Sequence, residues 1–134
     1  MQFVVARVLD ALDLVWCHTP NGQLRDPVIA GRLVSAGVKA GVPDCMIYSG
    51  QMALELKSLD GSLSADQRRW LERLAALGWR TGWERGTRKS LERLDAWGLD
   101  VAGALDQVER TLGYRLEGGR MVKLKRPTKG RKER

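Results

Sequence analysis

Two short apolar runs, separated by a turn that contains glycine, constrain the fold of this chain more than any other feature. The runs are CMIY (45–48) and MALELK (52–57), and Ser49-Gly50-Gln51 joins them. Runs of this length on either side of such a turn are typical of a β-hairpin. With the turn centred near residue 50, residues whose numbers sum to about 100 lie opposite each other. The sequence therefore predicts two antiparallel strands in a known register.

The charged residues of this hairpin predict a shared polar site. Side chains two residues apart on a strand point to the same face, so Glu55 and Lys57 share one face of the second strand. Asp44 lies about opposite them, and cross-strand neighbours are ~5 Å apart at Cβ. Two carboxylates that close repel each other unless one is protonated or a cation lies between them. Two interpretations stay open: an Asp–Lys or Glu–Lys ion pair on an edge strand, or a site for Mg²⁺ or Mn²⁺.

The rest of the chain predicts helices and strands that alternate around a small sheet. A capping aspartate, Asp26, precedes Pro27 at the second helix, and glycines end the second and third helices. The predicted helices cover 2–13, 26–36, 64–77, 87–97 and 100–112, and further strands cover 15–19 and 79–84. A Gly-Gly hairpin is predicted within 114–125. We expect buried stripes at Ile29, Leu33 and Ala36 of the second helix and at Trp70, Leu71, Leu74 and Leu77 of the third. The fold class is α/β, with a small mixed β-sheet flanked by helices.

The positive charge of the chain is concentrated at its end. The whole sequence has 23 Lys and Arg against 16 Asp and Glu, a net charge of +7. Residues 123–134, KLKRPTKGRKER, hold seven of the basic residues and one acidic residue, so the first 122 hold 16 and 15. Such a tail is typical either of a chain that binds a polyanion or of a solubilising end.

Several classes of protein are excluded or disfavoured by composition. The N-terminal apolar stretch is interrupted by Arg7, Asp10 and Asp13, so we expect neither a signal peptide nor a membrane span. Cys17 and Cys45 lack CxxC spacing and are expected to be buried free thiols in a reducing cytoplasm. A single histidine, His18, excludes a His-pair metal site and disfavours a Ser-His-Asp triad. It either makes a structural hydrogen bond or contacts phosphate.

A longer pattern resembles a known family of nucleases. The pattern consists of Pro-Asp, a hairpin, Glu-x-Lys and then a helix with glutamine in its first turn. It occurs in GVPD…ELKSLDGSLSADQRRWLERLAALGW, with CHTPNG and KAGVPD upstream. This string resembles the VRR-NUC family of the PD-(D/E)xK superfamily over roughly residues 2–98. The resemblance implies a restriction-endonuclease-like core at 1–98. Residues 99–122 are then a helix-and-hairpin extension of the same domain, and 123–134 a basic tail.

The resemblance also implies a role for each residue of the hairpin site. Asp44 and Glu55 would bind Mg²⁺ or Mn²⁺, with the main-chain carbonyl of Leu56 as a third ligand. Lys57 would orient the attacking water or stabilise charge on the phosphate, and Gln67 would hold the site from the following helix. Gln67 also fits a capping box with Ser64, and the two roles are compatible.

The activity implied is metal-dependent hydrolysis of phosphodiester bonds in DNA. The resemblance points to branched DNA such as Holliday junctions, to a homodimer, and to the cytoplasm of a bacterial or phage-infected cell. The alternative is a non-catalytic DNA-binding module that keeps the fold, because the family's glutamate on the first helix has no counterpart before Gln2. Either the helix starts upstream in the natural protein, or Asp10 or Asp13 substitutes, or the site holds metal more weakly.

Basic residues outside the hairpin are expected to contact the DNA backbone or to be solvated. Lys39 precedes Asp44 on a glycine-flanked loop, and further candidates lie on the third helix and in the tail. The predicted DNA-binding residues are Lys39, Arg68, Arg69, Lys123, Lys125 and Arg126.

Overall fold

The computed structural model describes residues 1–20 and 26–125. Its helices are α1 (Gln2–Ala11), α2 (Pro27–Ser35), α3 (Ala65–Ala76), α4 (Thr87–Ala96) and α5 (Val101–Leu112). Its strands are β1 (Trp16–His18), β2 (Cys45–Ile47), β3 (Met52–Lys57), β4 (Arg80–Arg85), β5 (Tyr114–Glu117) and β6 (Arg120–Lys123). Within these residues, no helix combines the length and the apolar character that crossing a membrane requires.

A four-stranded mixed sheet forms the centre of the fold, as the sequence predicted. The strand order is β1-β2-β3-β4, in which β1, β2 and β3 are antiparallel neighbours. β3 and β4 are parallel, and α3 makes the crossover between them. A parallel pair requires such a crossover because the chain must return to the same end of the sheet. The carboxyl ends of β3 and β4 therefore lie side by side.

The β2–β3 hairpin has the register that the sequence predicted, to within one residue. Cys45 pairs with Leu54 and Ile47 pairs with Met52, so paired numbers sum to 99. Gly50 and Gln51 of the turn have positive φ angles of 84° and 53°. Extending the pairing by one residue beyond β2 brings Asp44 opposite Glu55. The local chemistry of the turn thus decides which charged side chains meet.

The two faces of the sheet are covered by different helices. Met52, Leu54 and Leu56 of β3 pack in a core cluster with residues of α1, α4 and α5. Ala53, on the opposite face, packs in a second, smaller cluster with Leu74 of α3. Because side chains alternate along a strand, Glu55 and Lys57 follow Ala53 onto the α3 face. The charged residues therefore lie on the face that carries the smaller core.

The C-terminal part of the described chain packs beside this sheet. α5 contributes Val101 and Ala104 to the larger core cluster. β5 and β6 form a separate two-stranded hairpin, with Gly118 and Gly119 at its turn. Thr87 Oγ1 donates a hydrogen bond to the Gly119 carbonyl, 3.2 Å away. This contact brings the hairpin turn next to the start of α4.

The predicted buried stripe of α2 is wrong. No residue of α2 is buried, Ile29 is 47% exposed and Ala36 is exposed, while Leu33 is half-buried. Helical periodicity shows which face of a helix is apolar, but a second element must cover that face before it is buried. Among the described residues, no helix or strand packs extensively against α2.

Two further burial predictions are also wrong. Leu77 is 73% exposed because α3 ends at Ala76 and Leu77 is only its C-cap. Cys17 is exposed, whereas Cys45 is buried as expected. Cys17 pairs with Met46 and so points to the α3 face, but α3 packs on β3 and β4 rather than on β1.

A glycine fixes the loop that leads to Asp44, and this can be tested by substitution. Gly41 has φ of +83°, and a Cβ there would lie 2.6 Å from the backbone carbon of Asp66. We predict that Gly41→Ala lowers the free energy of unfolding by about 2–4 kcal/mol, from backbone strain and displacement of α3. Gly98→Ala is the matched control: φ is +93° with open space around it, so only strain of about 1–2 kcal/mol is expected. Urea denaturation measures both, and equal losses would contradict the close approach at Gly41.

Candidate active site

Four polar side chains meet where β2 begins and β3 ends. Asp44 immediately precedes β2, and Glu55 and Lys57 belong to the last three residues of β3. Gln67 reaches them from the first turn of α3. The sequence analysis named these four residues as candidates, and the structure brings all four together.

Asp44 and Glu55 are joined by reciprocal hydrogen bonds across the end of the hairpin. The Asp44 backbone N–H donates to Glu55 Oε2 at 3.1 Å. The Leu56 backbone N–H donates to Asp44 Oδ2 at 2.9 Å. Each carboxylate therefore accepts a hydrogen bond from the backbone of the opposite strand. These side-chain bonds extend the β2–β3 ladder beyond its last regular backbone pair.

Lys57 and Gln67 complete the network. Lys57 Nζ donates to Gln67 Oε1 at 2.7 Å and lies 3.4 Å from Glu55 Oε1. Gln67 Nε2 donates to the same Glu55 oxygen at 3.1 Å. The amide of Gln67 thus contacts both the basic and the acidic group, which also form an ion pair with each other.

Gln67 also closes the start of α3, so the two roles expected for it hold together geometrically. Its backbone N–H donates to Ser64 Oγ at 3.1 Å, and its Oε1 accepts from the Ser64 backbone N–H at 2.9 Å. This is a complete capping box. Since the same amide oxygen contacts Lys57, the start of the helix and the polar network are one rigid unit.

Burial beside a second carboxylate perturbs Glu55 strongly. The residue is only 2% exposed. Burial, followed by repulsion from Asp44, raises the pKa of Glu55 to about 7, and the charge of Lys57 opposes this increase. Burial also raises the pKa of the neighbouring Cys45 thiol to about 12, with Asp44 as the next cause. Cys45 is therefore an inert neutral thiol, while Glu55 changes charge near neutral pH.

Residues at the end of β1 hold the main chain of Asp44. His18 Nδ1 lies 3.0 Å from the Asp44 carbonyl oxygen, and the Thr19 backbone N–H donates to it at 2.9 Å. Of the two roles considered for His18, the structural hydrogen bond is the one observed. The contribution of Thr19 was missed because a backbone donor carries no signal in the sequence.

The start of α1 lies close to this region, but Asp10, the one acidic residue of this helix, lies near its other end. Gln2 Nε2 lies 4.0 Å from the Cys45 sulfur, next to Asp44 in sequence. Asp10 Oδ1 accepts from the Trp16 indole at 2.9 Å. Eight residues of helix separate Asp10 from Gln2, about 12 Å along the axis. Asp10, one of the alternatives considered for the first-helix acid, is thus bound to Trp16 at the far end of α1 from Gln2.

The residues predicted to bind DNA are distributed over several surfaces. Lys39 and Arg69 line one groove of about 480 Å³ together with Arg73, and the Trp70 indole holds this loop by donating to the Ala40 carbonyl at 3.0 Å. Arg68 is exposed on α3 but does not line that groove.

The basic residues at the end of the described chain lie apart from this groove. Lys123 is the last residue of β6 and pairs with Tyr114, so it lies at the open end of the hairpin. Lys125 is exposed two residues further on, and Arg126 lies outside the described residues. The structure thus groups Lys39 with Arg69 and leaves the other candidates separate.

The donor atoms at the hairpin end suit a hard divalent cation. Among the described residues no cluster of three or more His, Cys, Asp or Glu side chains is found. A cation here would therefore have two carboxylates, and its other ligands would be main-chain oxygen or water. Asp44 is half-buried, and its Oδ2 atom accepts from the Leu56 backbone N–H. Carboxylate and carbonyl oxygens are the ligands that Mg²⁺ uses, together with water. A cation would also relieve the repulsion that raises the pKa of Glu55.

No family model, curated protein or solved structure matched this chain. The resemblance to the VRR-NUC family consequently stays a prediction from the residues quoted above.

The raised pKa of Glu55 makes stability depend on pH. The folded-state pKa of Glu55 is above the ordinary value of 4.5. Its protonated form therefore contributes favourably to the free energy of unfolding below pH 4.5, and this contribution is lost as pH rises through 7. We predict that, without metal, the free energy of unfolding falls by up to about 3 kcal/mol from pH 5 to pH 8.

Asp44→Asn tests the cause of this dependence. It keeps an oxygen for the Leu56 N–H but removes the charge, so the decrease between pH 5 and pH 8 should become smaller without disappearing, since burial remains. Urea denaturation in EDTA at both pH values measures this. The same decrease in both proteins would contradict electrostatic coupling of Asp44 and Glu55.

Proposed function

We propose that this protein is a metal-dependent DNA endonuclease of the PD-(D/E)xK type, with its active site at the end of the β2–β3 hairpin. One observation supports this above all others: two carboxylates, an ammonium and an amide form a single hydrogen-bonded network at the mouth of the sheet. Glu55 is buried in this network, burial raises its pKa to about 7, and carboxylates perturbed in this way are frequent in active sites.

The residues that would hold Mg²⁺ or Mn²⁺ are Asp44, Glu55 and the carbonyl of Leu56. In an antiparallel ladder the N–H and C=O of one residue point to the same neighbouring strand. Because the Leu56 N–H points to Asp44, the Leu56 carbonyl points to the same side. Continuing the register brings Pro43 opposite Leu56, and proline has no N–H to donate to that carbonyl. When bound, the metal would lower the pKa of water and neutralise charge on the phosphate.

Lys57 supplies a fixed positive charge for the same reaction. Its ammonium is held 2.7 Å from Gln67 Oε1 and 3.4 Å from Glu55 Oε1, which leaves little freedom to its side chain. A cation that is already oriented stabilises the charge that develops on the phosphate without reorganisation during the reaction. Gln67 is a positioning residue, since it holds both Lys57 and Glu55.

The proposed substrate is branched DNA, and the proposed assembly is a homodimer. A symmetric four-way junction requires two coordinated cuts, and two active sites related by a two-fold axis present matching geometry to its two strands. Labelled junction, flap and linear duplex DNA, incubated in parallel with Mn²⁺, distinguish this preference from general duplex cleavage.

The second candidate is a DNA-binding module without catalysis. It is favoured by the reciprocal bonds between the Asp44 and Glu55 segments, in which both carboxylates already accept from backbone N–H groups. Such a module would bind DNA equally well with and without divalent cations. Titration with Mn²⁺ therefore separates the two candidates.

Substitutions at the site should separate metal binding from catalysis. We predict that Lys57→Ala reduces cleavage at least about 100-fold, while Mn²⁺ still raises the melting temperature as it does for wild type. Asp44→Asn should lose both cleavage and the stabilisation by Mn²⁺, because a ligand is missing. Arg110→Gln, an exposed substitution on α5, is the control and should behave like wild type.

The measurements are single-turnover cleavage of labelled DNA and thermal melting with and without Mn²⁺. Cleavage by Lys57→Ala at the wild-type rate would show that Lys57 is not catalytic. Wild type that is neither stabilised by Mn²⁺ nor active on any substrate would leave the binding module as the better account.

A further inference from the structure

A second basic surface lies beside the proposed active site, and none of its cations is among the DNA-binding residues predicted from the sequence. It is a cleft of about 860 Å³ between the start of α4, the loop after β3 and the turn of the β5–β6 hairpin. Its charged lining residues are all basic: Arg85, Arg88, Lys89 and Arg120. We call this surface the α4 cleft.

The cations of the α4 cleft are exposed, and among the described residues none of them has a buried ion pair. Arg88 has one ion pair, at 3.6 Å to Glu92, and both side chains are mainly in solvent, where such a pair contributes little. Within the described chain, no carboxylate lies within 4.0 Å of Lys89 or Arg120. Positive charge collected along one concave surface attracts an anion that can contact several cations at once.

One wall of the cleft is held in place by two contacts of the Arg85 guanidinium. Arg85 Nε donates to the Gly61 carbonyl at 2.6 Å, and its guanidinium carbon lies 4.8 Å from the centre of the Trp83 ring. The opposite wall is fixed by the hydrogen bond from Thr87 to Gly119, which brings the turn that carries Arg120 to the start of α4. The cleft is therefore formed by the fold and not by loose side chains.

The cleft begins at residues that neighbour the proposed active site in the chain and in the sheet. Arg85 is the β4 partner of Lys57, and the Gly86 backbone N–H donates to the Lys57 carbonyl at 2.9 Å. Ser58, the residue after Lys57, lines the cleft. Neighbouring strands are about 4.8 Å apart, so the cleft begins within one or two strand widths of the catalytic lysine. Ligands of open α/β sheets commonly bind at this edge, outside the carboxyl ends of the strands.

We propose that the α4 cleft binds the phosphate backbone of the DNA duplex that flanks the cleaved bond. The inference rests on the proposed function, because it assigns to that nuclease the surface that holds its substrate. A phosphate backbone offers repeated negative charges at regular intervals, which suits four cations arranged along one groove. Contacts of this kind fix the position of the duplex without reading its sequence.

Salt dependence of binding tests this directly. Binding of a labelled 20-base-pair duplex is measured by fluorescence anisotropy in EDTA, from low to high KCl, so that no cleavage occurs. Lys89→Gln and Arg120→Gln should each weaken binding about threefold to tenfold and reduce the slope of log Kd against log salt by about 1. Arg110→Gln removes the same charge from α5, outside the cleft, and should leave the slope unchanged.

The outcomes separate this proposal from the proposed activity. Reduced slopes for the two cleft variants alone support the cleft, whether or not the wild type cleaves DNA. Equal slopes in all four proteins, or no duplex binding by wild type, would overturn the cleft. Cleavage of labelled DNA with Mn²⁺ is scored separately, and its absence would count against the nuclease and not against the cleft.

Discussion

The burial of one carboxylate beside another is the constraint on which the rest of the site depends. Glu55 is 2% exposed, and the Asp44 backbone donates to it from the opposite strand. Without compensation, such an arrangement is unfavourable, and it raises the pKa of Glu55 to about 7. Lys57 and Gln67 offset part of this cost through contacts with the same carboxylate oxygen. The proposed metal would relieve the repulsion between the two carboxylates that remains.

The surrounding fold is arranged so that this polar network can exist at the edge of an apolar core. Leu54 and Leu56 fill the face covered by α1, α4 and α5, while the small Ala53 leaves the opposite face to α3. The start of α3 approaches closely enough that Gly41 has no room for a side chain. Gln67 then joins the cap of that helix to the network, so the position of α3 and the geometry of the site cannot change independently.

The sequence predicted the site better than it predicted burial far from the site. The register of the hairpin follows from a short turn and from alternation, which are local, whereas the role of Gln67 was implied by the family resemblance. The exposed face of α2 and the exposed Leu77 were mispredicted because burial depends on which element covers a face, and periodicity does not contain that information. The α4 cleft was missed for a related reason: Arg85, Lys89 and Arg120 meet only through strand pairing and the contact of the C-terminal hairpin with α4.

The central claim is that Asp44 and Glu55 form one pocket for a divalent cation. Anomalous diffraction from a crystal soaked in Mn²⁺ at pH 8, where Glu55 is mainly ionised, tests it most directly. The account predicts a single strong peak within about 2.5 Å of oxygen atoms from both carboxylates, with the Leu56 carbonyl as a further ligand. A peak at another place, or none between these two side chains, would contradict it.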